Sequence, residues 1–240
     1  MLAPHSFADA MPKPVYHSQI GQDRLLDTVV FRGMEGGVVL DIGAHDGTTF
    51  SNSLAFERDR GWRAVCVEPN PAVFATLAAT RPNATCLNVA VGDRMGTLPF
   101  TQVAGAPEMM SCLADAATPA HRERIAAEVA RHGGTVRTIE VPVTTLGALL
   151  AETGLSEIHL LSIDTEGSEA TILEELKRLD ARVHVVDAEC NGAGDLPRLR
   201  AALGANFALV GRHRHDVFFI NRGSPFIRRA GALRRALLAE

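Results

Sequence analysis

Gly37-Val38-Val39-Leu40-Asp41-Ile42-Gly43-Ala44-His45-Asp46-Gly47 is the stretch on which the fold turns. Residues 37–42 are apolar on both alternating faces except at Asp41, as a central parallel strand covered on both sides must be. Gly43 and Gly47 then allow a sharp turn that leaves backbone open to a ligand. Such a loop predicts the start of a helix and a small-molecule site. An ordinary tight turn from strand to helix would also favour Gly and Asp, so the loop needs support from elsewhere in the chain.

That support comes from the rhythm on either side. Further apolar runs lie at 64–68, 85–89, 158–163 and 183–187, alternating with segments of helical period. This is the pattern of βαβ units around a parallel sheet. Asn70 and Pro71 predict a capped helix start, and Glu166 to Leu179 reads as another helix. Residues 207–210 and 216–220 flank the polar stretch Arg212 to His215 and predict an antiparallel hairpin, with His213 and His215 exposed. The expectation is a mostly parallel seven-stranded α/β sheet with an antiparallel C-terminal hairpin and helices on both faces.

Without repeats or a low-complexity linker, residues 1–240 read as one domain. An N-terminal extension covers 1–16. Residues 101–138 interrupt the strand rhythm and make a candidate substrate lid, with a helix capped by Thr118 and ended at Gly133. The tail, 222–240, reads as an amphipathic helix, expected to pack on the domain or on a second subunit, so a homodimer stays open.

Composition narrows the function classes. The formal net charge of −4 gives no basic face for phosphates, and nucleic acid is not an expected partner. Cys66, Cys86, Cys112 and Cys190 form no close pair and read as reduced thiols rather than zinc ligands. The first residues carry Pro4, Pro12 and Pro14 and no long apolar run. The expectation is a cytoplasmic protein without a transmembrane segment. Abundant Ala and Arg against only two lysines, Lys13 and Lys177, suggest a bacterial source.

The chemistry of the loop is acidic. Asp41 can accept from loop amides or from a ligand ammonium. The second strand ends in Glu68-Pro69, and a carboxylate at that tip can accept both hydroxyls of an adenosine ribose. A dinucleotide would need Gly-x-Gly-x-x-Gly for its pyrophosphate, whereas this loop has three residues between its glycines. Asp41 and Asp46 would repel pyrophosphate and suit an ammonium and a sulfonium. The cofactor candidates are Asp41, Gly43, Ala44, His45, Gly47, Glu68 and Pro69, with Asn88 or Val89 at an adenine edge.

Beyond the loop, the chain carries Ser18-Gln19-Ile20-Gly21-Gln22-Asp23, Ser51-Asn52-Ser53, Gly61-Trp62-Arg63-Ala64 and Val67-Glu68-Pro69-Asn70-Pro71. Asn88 to Asp93 and Leu161-Ser162-Ile163-Asp164-Thr165-Glu166-Gly167-Ser168-Glu169 follow. In this order the motifs resemble the FkbM family of methyltransferases, over roughly residues 17–221. The resemblance implies a Rossmann-like class I methyltransferase fold, S-adenosylmethionine as cofactor, and methyl transfer to oxygen of a natural product or glycan. That family often has lysine where this chain has Ser162, which puts any role of that lysine in doubt.

Asp164, Glu166 and Glu189 fall at carboxyl ends of strands, where open α/β sheets bind ligands, and are the candidate general bases. Asp164 is also a candidate for the cofactor's methionine end. Helix-start electrostatics would equally favour an acid at Glu166. A divalent metal on Asp164, Glu189 and Asn191 is allowed by their oxygen ligands but not expected, and no residue is assigned to metal. Met109-Met110-Ser111-Cys112 are candidates for the acceptor pocket. A nicotinamide-dependent oxidoreductase and a catalytically silent cofactor-binding scaffold are the competing functions.

Overall fold

A computed structural model describes residues 13–239. Most of the N-terminal extension expected at 1–16 therefore lies outside the described residues. The strands are β1 (Val38–Ile42), β2 (Arg63–Val67), β3 (Thr85–Leu87), β4 (Ala90–Gly92), β5 (Gly96–Ala104) and β6 (Cys112–Leu113). They continue as β7 (Thr135–Thr145), β8 (Glu157–Ile163), β9 (Arg182–Glu189), β10 (Phe207–His213) and β11 (Asp216–Asn221). The helices are α1 (Gln22–Leu25), α2 (Leu54–Arg60), α3 (Pro71–Thr80), α4 (Pro119–His132), α5 (Leu146–Thr153), α6 (Glu169–Glu175), α7 (Asp195–Leu203) and α8 (Ala230–Leu237).

The main sheet has seven strands in the order β10-β11-β9-β8-β1-β2-β3. All pairs are parallel except those of β11, which runs antiparallel to β9 and β10. The expected fold class is present. Alternating residues of each strand feed two cores, as the period of two requires. Leu40, Ile42, Val65, Leu161 and Val186 pack with α5, α6 and α7 on one face. Val39, Ala64, Leu160, Val185 and Ile220 pack on the other with Phe31, Phe56, Leu77, Leu233 and Leu237. The tail helix α8 thus buries its apolar stripe on the sheet, and Arg234 Nε donates to the Val210 carbonyl at 2.9 Å.

Local chemistry explains the helix starts. Asn70 accepts from the Ala72 amide ahead of Pro71, and Thr118 accepts from the His121 amide at 3.1 Å ahead of Pro119. The sheet was legible; its insertion was not. Residues 90–145 build a second, four-stranded sheet, ordered β4-β7-β5-β6, which takes in the candidate lid at 101–138, where only one helix was expected. β5 and β7 alternate weakly and carry Pro99 and Pro142, which mask a strand pattern. The helix expected from Glu166 begins instead at Glu169. Glu166 and Gly167 take φ of +57° and +133°, which no helix accommodates. His213, expected exposed, is buried, with Nε2 3.1 Å from the Ile20 carbonyl.

Candidate active site

The strand register stacks polar side chains in two lateral rows at the carboxyl edge of the sheet. Cys66, Asp41, Ser162 and Asp187 are successive partners across β2, β1, β8 and β9. Register partners and residues two apart share a face. One step further out on that face lie Glu68, Asp164 and Glu189, and Asp216 pairs with Glu189. Asp41 and Glu68 therefore stand on the same side of neighbouring strands. Both line one cleft of about 310 Å³ with Asp164, Glu166, Glu189 and Asp216.

The loop after β1 leaves no room for larger residues. The amides of Gly43 and Ala44 both donate to the Val67 carbonyl, at 2.9 and 3.0 Å. Gly43 has φ +93°, and a Cβ there would lie 1.7 Å from the Asp164 carbonyl oxygen. The loop does not open a helix as expected: residues 43–53 are irregular, and α2 starts only at Leu54. Gly43, Ala44 and His45 line the cleft, whereas Gly47 does not. Gly47 packs against Arg81 and Leu77, so its place is a structural one. Asp46 also turns away from the cleft and accepts from the Thr48 and Thr49 amides at 2.8 and 2.7 Å. Burial pushes its carboxyl up, but these amides and the Thr49 hydroxyl outweigh it and hold it at about 2.

On the second strand, Glu68 accepts from the His45 amide at 3.1 Å and the Asn70 amide at 2.8 Å, one on each oxygen. It is pinned with further lone pairs open. Burial outweighs those two bonds and raises its pKa to about 7. Pro69 and Val89 line the cleft, but Asn88 does not: its amide group is spent on the carbonyls of Glu68, at 2.8 Å, and Pro69. Val73, Val91 and Phe100 supply an apolar wall.

The remaining acids gather close together, with Arg124 the one Arg or Lys beside them that lines the cleft among the described residues. Asp41 is 4% exposed, its Oδ2 accepts no hydrogen bond, and burial raises its pKa against the pull of Ser53 and Arg81. Neither oxygen of Asp187, 2% exposed, has a partner, and burial with the charge of Asp216 lifts its pKa far upward. Burial and then Glu169 bring Asp164 to about 6; burial and then Asp164 bring Glu166 to about 8 and Asp216 to about 7. Glu189 is pushed up for the same reasons, burial before Asp164. Such perturbed groups in a cleft mark functional sites.

The insertion forms part of the cleft wall. Met109, Met110 and Ser111 line it, as expected from the sequence, while Cys112 is buried in β6. Arg124 on α4 donates to both oxygens of Glu166, at 2.6 and 2.5 Å. Sequence reasoning missed three contributors. Arg124 is half-buried on the inner face of α4 beside Ile125; Asp216 follows a polar turn; Phe50 is an aromatic residue in a polar loop, 46% exposed at φ +56°. Only Phe50 left a signal, its isolation among Thr48, Thr49, Ser51 and Asn52.

Among the described residues, one group of His, Cys, Asp and Glu brings ligand atoms within 4.8 Å of each other: Glu157, His159 and His184. It sits at the opposite end of β8 and β9. His159 Nδ1 accepts the Val38 amide at 3.1 Å, so the neutral ring carries its proton on Nε2 and has no free lone pair for a metal. The four cysteines are free.

A Rossmann-like sheet with an acid-lined cleft at its carboxyl edge has the arrangement in which open α/β proteins hold small molecules. The family model for the methyltransferase FkbM domain matches residues 41–206, and the chain belongs to that family. No curated protein matches the chain. Among solved structures, the methyltransferase FkbM from Methylobacillus flagellatus KT is 12% identical, with a TM-score of 0.49. The alignment covers 81% of this chain and 47% of that one, so the chain spans about half that protein's length. Fibrillarin from Aeropyrum pernix, in complex with natively bound S-adenosyl-L-methionine, is 12% identical at a TM-score of 0.44, covering 86% of this chain and 75% of that one.

Proposed function

We propose that the chain transfers a methyl group from S-adenosylmethionine to a hydroxyl oxygen of a small-molecule or glycan acceptor. One observation carries the cofactor: Asp41 and Glu68 flank the same cleft, with Asp41 Oδ2 buried and unpartnered. The residues present fit the group. Asp41 would hold the methionine ammonium, Glu68 the ribose, and Val73 and Val89 the adenine. When bound, the cofactor supplies an activated methyl on a sulfonium sulfur.

The chain's part is positioning and proton removal. An acceptor hydroxyl must point a lone pair in line with the carbon–sulfur bond; as the new carbon–oxygen bond forms, a carboxylate takes its proton. Asp164, poised at about 6, is the first candidate for that base. Glu166 is held by Arg124, and Glu189 accepts from Asn191 at 2.5 Å; both stand beside it. The nicotinamide reading loses further ground because the loop after β1 runs irregularly to Leu54 and opens no helix at its glycines to receive a pyrophosphate. A thermal-shift assay with S-adenosylhomocysteine and NAD in parallel is the test. Stabilisation by S-adenosylhomocysteine alone is expected; stabilisation by NAD alone overturns the reading. On an identified acceptor, Asp164→Asn is expected to keep cofactor binding and lose turnover, which a silent scaffold would not show.

A further inference from the structure

The side of the cleft away from Glu68 is built for positive charge. Glu189 and Asp216 are register partners on β9 and β11, and Glu166 reaches in from the bend after β8. Behind them, Asp187 is buried with both oxygens unpartnered, so this wall holds more carboxyl groups than its surroundings can keep ionised without a further cation. Arg124 is the sole Arg or Lys among the described residues lining the cleft, and Glu166 takes its donors. The Gln22 side-chain amide donates to Asp216 at 2.5 Å and brings no charge, and Arg212 lowers the Asp216 pKa by less than burial and Asp164 raise it. A phosphate or carboxylate on the acceptor would meet acids with no free Arg or Lys among the described residues lining the cleft to offset them.

Facing the same cleft is Phe50, whose positive φ is a strained state for an aromatic residue. The backbone of Phe50 bridges to Ser18, but its ring, 46% exposed at the cleft rim, is left largely unburied by the fold. A ring so placed offers a face for the apolar side of a ligand ring, or for a cation.

Resting on the methyltransferase reading, we propose that the acceptor is an amine-bearing polyol, its ammonium held by Glu189 and Asp216 and its ring lying on Phe50. The hydroxyl, not the amine, is methylated: the amine stays protonated in the acid pocket and has no lone pair to attack with. The neighbouring carboxylate takes the hydroxyl proton, and S-adenosylhomocysteine leaves, so charge and atoms balance.

The test uses the full chain with labelled S-adenosylmethionine and three matched sets of probes. These are amino sugars and aminoglycosides, their N-acetylated forms, and phosphorylated or uronic sugars of the same ring type. The expected result is methyl transfer to oxygen of amine-bearing members, with kcat/KM at least about ten-fold above the N-acetylated forms, the size of one charged hydrogen bond. Asp216→Asn is expected to raise KM for the amine by about ten-fold while the affinity for S-adenosylhomocysteine is kept. Phe50→Ala raises KM for every ring acceptor.

Equal rates on amine and N-acetyl forms, preference for anionic sugars, or no transfer to any amine by a chain that binds S-adenosylhomocysteine would each overturn the inference. A chain that binds no S-adenosylhomocysteine overturns the cofactor reading, and this one with it.

Discussion

Strands β8 and β9 end in polar clusters of opposite character. At their amino ends the polar groups pair with one another and with the fold: His184 Nε2 lies 3.0 Å from Glu157 and Nδ1 2.9 Å from Ser224, while His159 Nδ1 accepts from Val38. At their carboxyl ends, Asp187 has no partner and Asp164, Glu166 and Glu189 repel each other. The same strands supply both, so the difference is not one of fold. A polar cluster whose bonds close on themselves holds the molecule together; one left open is held for a ligand.

The largest effect should come from closing the open end. Gly43→Ala drives a methyl group into the Asp164 carbonyl at a left-handed residue, and is expected to cost more than about 3 kcal/mol and abolish cofactor binding, read by urea unfolding and calorimetry. Opening the closed end should cost somewhat less: His184→Ala, 4% exposed, is expected to destabilise by about 2–3 kcal/mol. Asp187→Asn runs the other way. Burial keeps the Asp187 carboxyl protonated against its ordinary value, and removing that cost is expected to stabilise the ligand-free chain at pH 8 by about 1–2 kcal/mol, seen as a raised Tm.

The two ends should also answer pH with opposite signs. Glu68 and Asp216 at about 7 and Glu166 at about 8 lie above their unfolded values. Their contribution is fully present below the ordinary carboxylate range and is lost as pH rises through 7 to 8. Ligand-free Tm should therefore fall between pH 5.5 and 8.5. Glu157 is lowered, chiefly by its bond to His184, so its contribution is present above its usual value of 4.5 and lost as pH falls below it. The smallest effect belongs to Glu157→Gln, under about 1 kcal/mol because the side chain is 47% exposed.

The main sheet was legible because its strands are apolar on both faces, and Asp41 and Glu68 stood out as acids at strand ends. The second sheet was hidden by the prolines and exposed alternation of β5 and β7. Glu166 was misplaced because helical spacing from Ile172 onward extrapolates back through a bend that only backbone angles reveal. Asn88 and Gly47 looked like ligand contacts but serve the loops instead. Asp216 joins the site only through the antiparallel register of β11 with β9, which no spacing in the chain announces.

The account stands most directly on whether the carboxyl-edge acids ionise to meet a cation. Calorimetric titration of S-adenosylmethionine at pH 7 in two buffers of different ionisation enthalpy measures this. Binding with net release of protons, and at least about ten-fold weaker binding in Asp41→Asn, is the predicted result. Absence of binding, or binding that releases no protons and is indifferent to Asp41→Asn, would contradict it.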